Sequence, residues 1–455
     1  MDGFLTSLLS FVLAIAILVA VHEWGHYIVA RLVGIKVLRF SIGFGRPLWI
    51  RRYGRDRTEF CLSAIPIGGY VKLLDERDCA VPLAEQGRAF NRQSIPVKTA
   101  VLVAGPGLNF LFAIVAYWCM FVVGVPGLKP VIGDVEPGTI AAQADIRTGD
   151  RISAVGGHAV ATWEGAVLEI LGQLLDEGDI ELQVTGQDGT ERRAVLHAAG
   201  HESELTEPGR LFTGLGIRPW SPVVAAIIDE LTPGGPAERA GLQPGDQVIA
   251  ADGMPIDSWT QWVRFIRARP GQTITATILR DGHERKLEIR IGTAEDNGET
   301  IGRIGASVRI ADDLMKGMRA EQRYGVFAAF PVSVIKTWDM TTLTVRMLAS
   351  MVTGGVSVKN ISGPINIAQF AGQSISVGPV AFLGFLAVVS ISLGILNLLP
   401  IPMLDGGQIA YQLIEGIKGS PLSERAQMFG QQIGILFLLL LMSFAFYNDL
   451  ARIFG

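Results

Sequence analysis

Two histidines and a glutamate near the amino terminus have the types and the spacing that suit metal chemistry. His22, Glu23 and His26 stand in the sequence His-Glu-Trp-Gly-His. In a helix each residue is rotated by about 100°, so the two imidazoles lie about 40° apart and one turn from each other. Together they can hold one divalent ion, and the carboxylate can reach a water molecule on it. The pattern therefore predicts a hydrolytic zinc site with Glu23 as general base.

The position of this motif in the chain favours a functional site over ordinary histidines. No Asp, Glu, Lys, Arg or His occurs from Gly3 to Val21, so His22 directly follows an uncharged stretch. Ionisable groups at membrane depth are costly and are functional candidates by default. The alternative is a pair of helix-end histidines that face water. A cleaved signal peptide is disfavoured because the segment lacks a basic n-region, with Asp2 as its only early charge.

A third ligand is expected, because catalytic zinc usually has three protein ligands and one open position. Asp405 is the first ionisable residue after Lys359 and ends the sequence Asn-Leu-Leu-Pro-Ile-Pro-Met-Leu-Asp that starts at Asn397. Its prolines and the two glycines that follow disrupt helical bonding, which lipid tolerates only where protein or water satisfies the backbone. Asp405 could instead cap the next helix. Because His22 and His26 would be the other two ligands, the interpretation of Asp405 as a ligand is favoured.

The distribution of charge predicts a multi-pass α-helical membrane protein with four transmembrane helices. Hydrophobic residues make up 49% of the chain and charged residues only 18%, against about a quarter in soluble proteins. A spanning helix needs about 20 mainly apolar residues. Four uncharged stretches can each supply one: 3–21, 99–128, the end of 360–404, and 426–448. The lipid bilayer is therefore an expected partner, and the net charge of −4 argues against nucleic acid.

The loop charges predict the orientation of these spans. Residues 31–98 hold thirteen basic and six acidic residues. Positive loops stay on the cytoplasmic side. Both termini and the long 129–375 region are then expected outside the cytoplasm, with the metal site toward the cytoplasmic side.

An internal repeat predicts two tandem domains after the second span. Residues 135–152 reappear at 231–248 with a constant offset of 96 residues, which is longer than a solenoid repeat. Each copy has the pattern of a strand, a Pro-Gly turn, a short Ala-rich helix, and a Gly-Asp turn into another strand. The three cysteines show no paired spacing and are predicted to be free or buried thiols: Cys61, Cys79 and Cys119.

The repeated pattern, most complete at 233–246, resembles an α+β PDZ domain of the bacterial protease type. That resemblance implies that each module ends in a glycine-containing strand, near 214–217 and near 304–306. In PDZ domains this strand faces a groove where a peptide adds as an extra strand. Gly216 and Gly305 are therefore candidate substrate-binding residues. The alternative is that both modules only fill space over the active site.

The whole chain resembles the site-2 protease family of intramembrane zinc metalloproteases. The resemblance rests on HExxH in the first span, tandem PDZ modules, and Asn-x-x-Pro-x-Pro-x-Leu-Asp-Gly in the third span, in this order. It implies one Zn²⁺ per chain, held by His22, His26 and Asp405, with Glu23 as general base. It also implies that Asn397 helps to hold the substrate backbone or the transition state.

Further stretches carry the same resemblance. Residues 105–110 are similar to a second-span motif, and 60–73 are similar to a membrane-associated β-hairpin. If that hairpin lies beside the metal, its edge could pair with an unwound substrate strand; the alternative is an ordinary cytoplasmic hairpin. The candidate substrate contacts on it are Gly68, Gly69 and Tyr70. One departure is Gln408, where close relatives often carry His.

The expected organisation follows from these observations. By residue number it is a first transmembrane helix with HExxH at 1–33, a cytoplasmic loop with the β-hairpin at 34–96, a second transmembrane helix at 97–126, PDZ domains at 127–220 and 221–310, an amphipathic surface helix and linker at 311–376, a third transmembrane helix at 377–405, a cytoplasmic loop at 406–425, and a fourth transmembrane helix at 426–449. The helix over 324–351 is expected on the outer membrane surface, or packed on the PDZ domains.

The family resemblance also implies the substrates. They are single-pass transmembrane proteins already trimmed by another protease, such as an anti-sigma factor, and remnant signal peptides, in a bacterial inner membrane. Two other functions stay open on the residues alone. A metal transporter would show repeated spans with ligands on several helices, and a non-catalytic PDZ scaffold would have no need for a base at Glu23.

Overall fold

The computed structural model describes residues 2–78, 80–296, 299–309, 317–420 and 422–454. The chain divides into two compact units. The first comprises Met1–Pro130, Val135–Arg218 and Ala320–Gly455, and the second comprises Val131–Asp134 and Pro219–Arg319.

The first unit begins with two long helices and a β-sheet between them. Their bounds are α1 (Asp2–Leu32), β1 (Val37–Tyr53), β2 (Thr58–Leu73) and α2 (Ile95–Val123). The strands are so long and bent that each pairs twice, and the sheet has four segments in the order 69–73, 37–42, 58–62 and 49–53. The hairpin predicted within 60–73 is therefore wrong in its bounds. Residues 60–73 belong to the single strand β2, and the residues with which they pair lie upstream in β1.

The two repeated modules follow. The first contains β3 (Val125–Leu128), β4 (Ile132–Val135), α3 (Ile140–Gln143), β5 (Arg151–Val155), β6 (His158–Ala159), α4 (Trp163–Asp176), β7 (Ile180–Thr185), β8 (Glu191–Leu196), α5 (Glu202–Leu205), α6 (Leu211–Leu215) and β9 (Ile217–Pro219). The second contains β10 (Ile228–Leu231), α7 (Pro236–Arg239), β11 (Gln247–Ala251), β12 (Met254–Pro255), α8 (Trp259–Arg267), β13 (Thr273–Arg280), β14 (His283–Arg290), β15 (Gly292–Asp296), β16 (Glu299–Arg303) and β17 (Ala306–Val308).

Each module contains one four-stranded sheet with the same connectivity. The strand orders are β6-β5-β7-β8 and β12-β11-β13-β14, so the sequence repeat is also a repeat of topology. The strand predicted near 214–217 begins only at Ile217, because Gly214 belongs to α6 and Gly216 ends that helix in a left-handed conformation. The strand predicted near 304–306 begins at Ala306, after Gly305.

An Asp–Arg ion pair stabilises the Gly-Asp turn in each module. In the second unit, Arg280 donates to the buried carboxylate of Asp246 at 2.6 Å, and the Gln243 amide donates to it at 2.8 Å. In the first module, Arg192 contacts the buried Asp150 at 2.7 Å. Removal of one partner from such a buried pair costs on the order of 3 kcal/mol, because the other charge stays without compensation.

Acid is expected to destabilise the second unit through this pair. Burial opposes ionisation of Asp246, but the hydrogen bonds from Arg280 and Gln243 outweigh it, so the pKa of this carboxyl lies below its usual range. Such a group contributes stability that is complete above its unfolded pKa of about 3.9 and is lost as the pH falls through the folded pKa.

The measurement is the hydrogen-exchange protection of β11 and β13 in the full chain, as a function of pH. Wild type should lose protection below about pH 4. At neutral pH the stability of Asp246→Asn should be lower than that of wild type by on the order of 3 kcal/mol, and acidification should reduce its protection less. The exposed Asp257→Asn is the matched control and should behave as wild type. Parallel acid profiles of wild type and Asp246→Asn would contradict the prediction.

The carboxyl-terminal part of the first unit is helical. After β18 (Arg319–Gln322) it comprises α9 (Val326–Thr353), α10 (Pro364–Val377), α11 (Pro379–Leu398), α12 (Asp405–Lys418) and α13 (Glu424–Phe454). The helix predicted over 324–351 is present as α9. Two helices here were not predicted: α10 lies in the predicted linker before the third span, and most of α12 lies in the predicted loop at 406–425.

The third span also ends earlier than predicted, at Leu398 instead of 405. Pro400 lacks an amide hydrogen and forces the preceding Leu399 into an extended conformation, so the helix cannot continue. The chain then bends tightly before α12 starts at Asp405. A Cβ atom at Gly406 would lie 2.2 Å from the Leu398 carbonyl oxygen, which explains the glycine after Asp405.

Four helices among the described residues are long and apolar enough to cross a membrane. They cover Gly3–Leu32, Ile95–Val123, Pro379–Leu398 and Arg425–Phe454. They correspond to the four predicted spans. Cys61 is buried and Cys119 is exposed, and both are free thiols as predicted; Cys79 lies outside the described residues.

Candidate metal centre

The three predicted ligands meet at one point, although they come from opposite ends of the chain. His22 and His26 lie on α1, and Asp405 is the first residue of α12. The two Nε2 atoms are 3.2 Å apart, and they lie 3.3 Å and 3.4 Å from Asp405 Oδ2. Among the described residues these three side chains form the one cluster with metal-ligand geometry.

The dimensions of this triangle fit zinc. Tetrahedral coordination with ligand bonds of about 2.0–2.1 Å places the ligand atoms about 3.3 Å from one another. Asp405 Oδ2 is buried and makes no hydrogen bond of acceptable geometry with the part of the chain that the structure describes. A buried carboxylate oxygen that faces two imidazole nitrogens in this way is suited to a shared cation.

The other nitrogen of each imidazole is held by α2. The Nδ1 atom of His26 lies 2.8 Å from the Val101 carbonyl oxygen, which can only accept. Nδ1 of His26 therefore carries the proton, and Nε2 presents its lone pair to the metal position.

Asn109 has the corresponding place beside His22. Its carboxamide is fully buried and lies 3.1 Å from His22 Nδ1. Metal binding through Nε2 requires a proton on Nδ1, so the amide must present its oxygen there; amide oxygen and nitrogen are interchangeable by a flip. The main-chain oxygen of Asn109 accepts from the Ser390 hydroxyl at 2.9 Å, which connects α2 to α11 at the same level.

The site also requires two close helix approaches that need glycine. A Cβ atom at Gly105 would lie 2.3 Å from His26 Nε2, and one at Gly25 would lie 2.2 Å from the Ala104 carbonyl oxygen. Helices α1 and α2 thus touch through their backbones beside the metal position. Gly105 and Asn109 belong to the sequence motif at 105–110 without a predicted role, and Gly25 was not predicted at all, although its place inside HEWGH is a signal.

Replacement of Asn109 by Leu is expected to weaken zinc binding by about 10- to 100-fold, the cost of losing an outer-shell partner of a metal ligand. Leu keeps the volume but cannot accept from His22 Nδ1. Asn109→Asp keeps an acceptor oxygen and should retain more zinc.

Zinc affinity would be measured on the purified full chain by competition with a chelator. Ser390→Ala is the matched control, since it removes a contact to Asn109 without changing the carboxamide. Equal zinc affinity of Asn109→Leu and wild type would contradict the role of Asn109.

One cleft of about 860 Å³ contains the metal ligands and most other predicted site residues. The half-buried Glu23 lies in it beside strand β2: a Cβ atom at Gly69 would be 3.3 Å from Glu23 Cγ. The further predicted residues that line it are Asn397, Gly68, Gly69 and Tyr70, and Gln408, the departure from close relatives, lines it as well.

The glycines predicted in the modules are not part of this cleft. Gly305 lines a groove of about 730 Å³ in the second unit, between β17 and α8. Gly216 lies in the first module against Thr139, whose Oγ1 would be 2.1 Å from an added Cβ.

Comparison with known proteins places these observations in a family. A sequence model described as peptidase family M50 matches residues 10–441. The chain is 40% identical over 454 residues to the regulator of sigma-E protease RseP of Escherichia coli (strain K12), with 100% of both chains covered. It is 41% identical over 461 residues to protease RseP of Yersinia pestis, again over 100% of both. Among solved structures, the PDZ domain of an SdrC-like protein of Listeria monocytogenes aligns at 17% identity, with 20% of this chain and 90% of that chain covered and a TM-score of 0.16.

Proposed function

Since this chain belongs to peptidase family M50 and is a zinc metalloprotease of the site-2 type, we propose that its substrates are single-pass membrane proteins cut within their transmembrane segment. The depth of the metal site carries this proposal. His22 lies ten residues before Leu32, the end of the apolar helix α1. At 1.5 Å per residue this is about 15 Å, half the thickness of a bilayer core.

The proposed roles of the residues follow from their positions. His22, His26 and Asp405 would hold the ion, and Asn109 and the Val101 carbonyl orient the two imidazoles. When bound, zinc supplies Lewis acidity for a water molecule and for the scissile carbonyl. Glu23 takes a proton from the attacking water and returns it to the leaving amine nitrogen.

The substrate must unwind before it can react, because the carbonyls of a helix are already hydrogen-bonded. The 69–73 segment of β2 lies at the edge of its sheet and lines the cleft. An unwound substrate segment can add to this edge as a further strand. Gly68, Gly69 and Tyr70 then contact it on one side, and Asn397 contacts it on the other.

The modules have a proposed part in substrate selection. In the second unit, the groove beside Gly305 runs along β17, which pairs with β10 on its other side. Trp259 and Val263 of α8 provide its apolar wall. An extended peptide fits such a groove as an added strand, and Gly216 is the corresponding position in the first module. Two modules next to the membrane would also exclude bulky, untrimmed substrates.

The protein is an inner-membrane protein by its helices and its relatives. Its proposed orientation follows the basic loop at 31–98, which places that loop and the metal site toward the cytoplasm and both termini and the modules in the periplasm. We propose as substrates an anti-sigma factor already trimmed by another protease, and remnant signal peptides. The names of the RseP relatives support a link to sigma-E regulation.

The test is cleavage of a tagged anti-sigma-type protein by the reconstituted full chain, with the cut bond mapped by mass spectrometry. The substrate would be supplied intact and with its periplasmic domain removed. The proposal expects a cut inside the transmembrane segment, for the trimmed form only, and its loss on chelation of zinc. A cut in a soluble loop, or equal cleavage of both forms, would contradict it.

A further inference from the structure

The sheet formed by β1 and β2 carries a row of charged side chains on one face. Lys72, Arg39, Glu59 and Arg52 stand opposite one another on the four consecutive segments. Directly opposed residues project from the same face of a sheet. Hydrogen bonds from Arg39 and then Arg52 hold the pKa of the Glu59 carboxyl below its usual range, so the row carries three positive charges and one negative charge.

This row forms the wall of a cleft of about 490 Å³ that shares Lys72, and no other lining residue, with the cleft of the metal site. Its charged lining consists of five cations and two acids, a formal charge of +3: Lys36, Arg39, Arg52, Arg57, Lys72, Asp56 and Glu59. Three of the cations are paired, Arg39 and Arg52 with Glu59 and Lys36 with Glu85. In the ranges that the structure covers, Arg57 and Lys72 make no ion pair. The cleft therefore has cationic donors in excess and suits an anion.

The other end of the same sheet is apolar and exposed. Leu48 is 72% exposed, Trp49 53% and Ile65 53%, and Phe44, Ile50 and Leu62 are exposed beside them. The distance along a strand from the basic row to this apolar tip is about five residues, which corresponds to about 16 Å. That length matches one leaflet of a hydrocarbon core about 30 Å thick.

The contacts with α1 give the direction of the sheet. At its basic end, a Cβ atom at Gly54 would lie 3.6 Å from Arg31 Nη1, at the last turn of α1. Farther along, a Cβ atom at Gly69 would lie 2.6 Å from Val19 Cγ1, inside the apolar part of that helix. Val19 and Arg31 are twelve positions apart on the helix, which corresponds to about 18 Å. The apolar tip thus lies at the depth of the hydrocarbon, and the basic row at the depth of the headgroups.

We propose that the cleft lined by Arg39, Arg52 and Arg57 binds the phosphate of an anionic phospholipid whose acyl chains lie along the apolar tip. The guanidinium groups match a phosphate in charge and geometry, and the tip offers the acyl chains the surface that a free phosphate could not use. This lipid would hold the sheet, and with it the 69–73 edge, at a constant depth. The proposal depends on the chain spanning the membrane and not on any particular substrate.

The test compares two double variants that remove the same charge from the same strand and turn. Arg52→Gln with Arg57→Asn removes two cations from the cleft, and Asn suits the left-handed conformation of residue 57, whose φ is +53°. Arg51→Gln with Arg55→Asn removes two exposed cations that do not line it. Native mass spectrometry of the delipidated full chain would measure the binding of phosphatidylglycerol and of phosphatidylcholine with the same acyl chains.

Wild type and the Arg51/Arg55 variant should bind phosphatidylglycerol at least tenfold more tightly than phosphatidylcholine. The Arg52/Arg57 variant should lose roughly tenfold or more of that affinity, since each cation near an anionic surface contributes a factor of about five, while its zinc content stays unchanged. Equal losses in both variants, or no preference in wild type, would overturn the proposal. Displacement of the lipid by millimolar inorganic phosphate would also overturn it, because the site would then be one for a free anion.

Discussion

Glu23→Gln is expected to stop proteolysis and to leave zinc bound. The two imidazoles and Asp405 complete the ligand triangle without Glu23, which lines the cleft beside them. Gln has the size and shape of Glu but cannot accept the proton of water at neutral pH. Loss of a positioned general base reduces the rate by about 10²- to 10⁴-fold, so no product should form on the time scale of the wild-type reaction.

The measurement combines zinc content with cleavage of a tagged single-pass substrate by wild type and variant. Glu76→Gln is a suitable control, because Glu76 follows strand β2 near the cleft and does not line it. Cleavage at the wild-type rate by Glu23→Gln would refute the assignment of the base. A metal transporter or a scaffold would bind its metal and would cleave nothing. Stoichiometric zinc without cleavage by wild type would therefore favour one of those functions or a different substrate.

Asp405→Asn is expected to lower the affinity for zinc by more than 100-fold and to abolish activity with it. The loss should exceed that of Asn109→Leu, because an anionic ligand is removed rather than an outer-shell partner. Asn has nearly the same shape, so α12 can still begin at residue 405. The two imidazoles remain 3.2 Å apart without the negative charge that faces both.

This substitution also separates the two interpretations of Asp405. The N-cap of α12 is Leu404, and Asp405 is the first residue of that helix and makes no side-chain cap hydrogen bond. A residue that only helps to start α12 could be replaced by Asn without loss of zinc. Asp78→Asn is the matched control, since this exposed acid lines the same cleft outside the triangle. Zinc affinity would be measured by chelator competition. Wild-type affinity in Asp405→Asn would show that the third ligand is another group.

The sequence alone determined the features that depend on local spacing. His22, Glu23 and His26 share one helix, so the 3.6-residue period is sufficient to place them together. The four spans and Asp405 were found from the absence of charge around them, which membrane solvation imposes on any sequence. The repeated modules were visible because a duplication preserves its turns, and the two sheets indeed have the same strand order.

Only the tertiary structure decided which residues support that site and how the loop beside it is paired. Asn109, the Val101 carbonyl, Gly105 and Gly25 matter because α2 packs against α1, and a packing partner leaves no periodic signal in either helix. The pairing of 60–73 with upstream residues is a register between distant segments, which alternation of side chains does not specify. The end of α11 at Leu398 was missed for a different reason: hydropathy continues through Pro400, whereas the backbone hydrogen bonds do not.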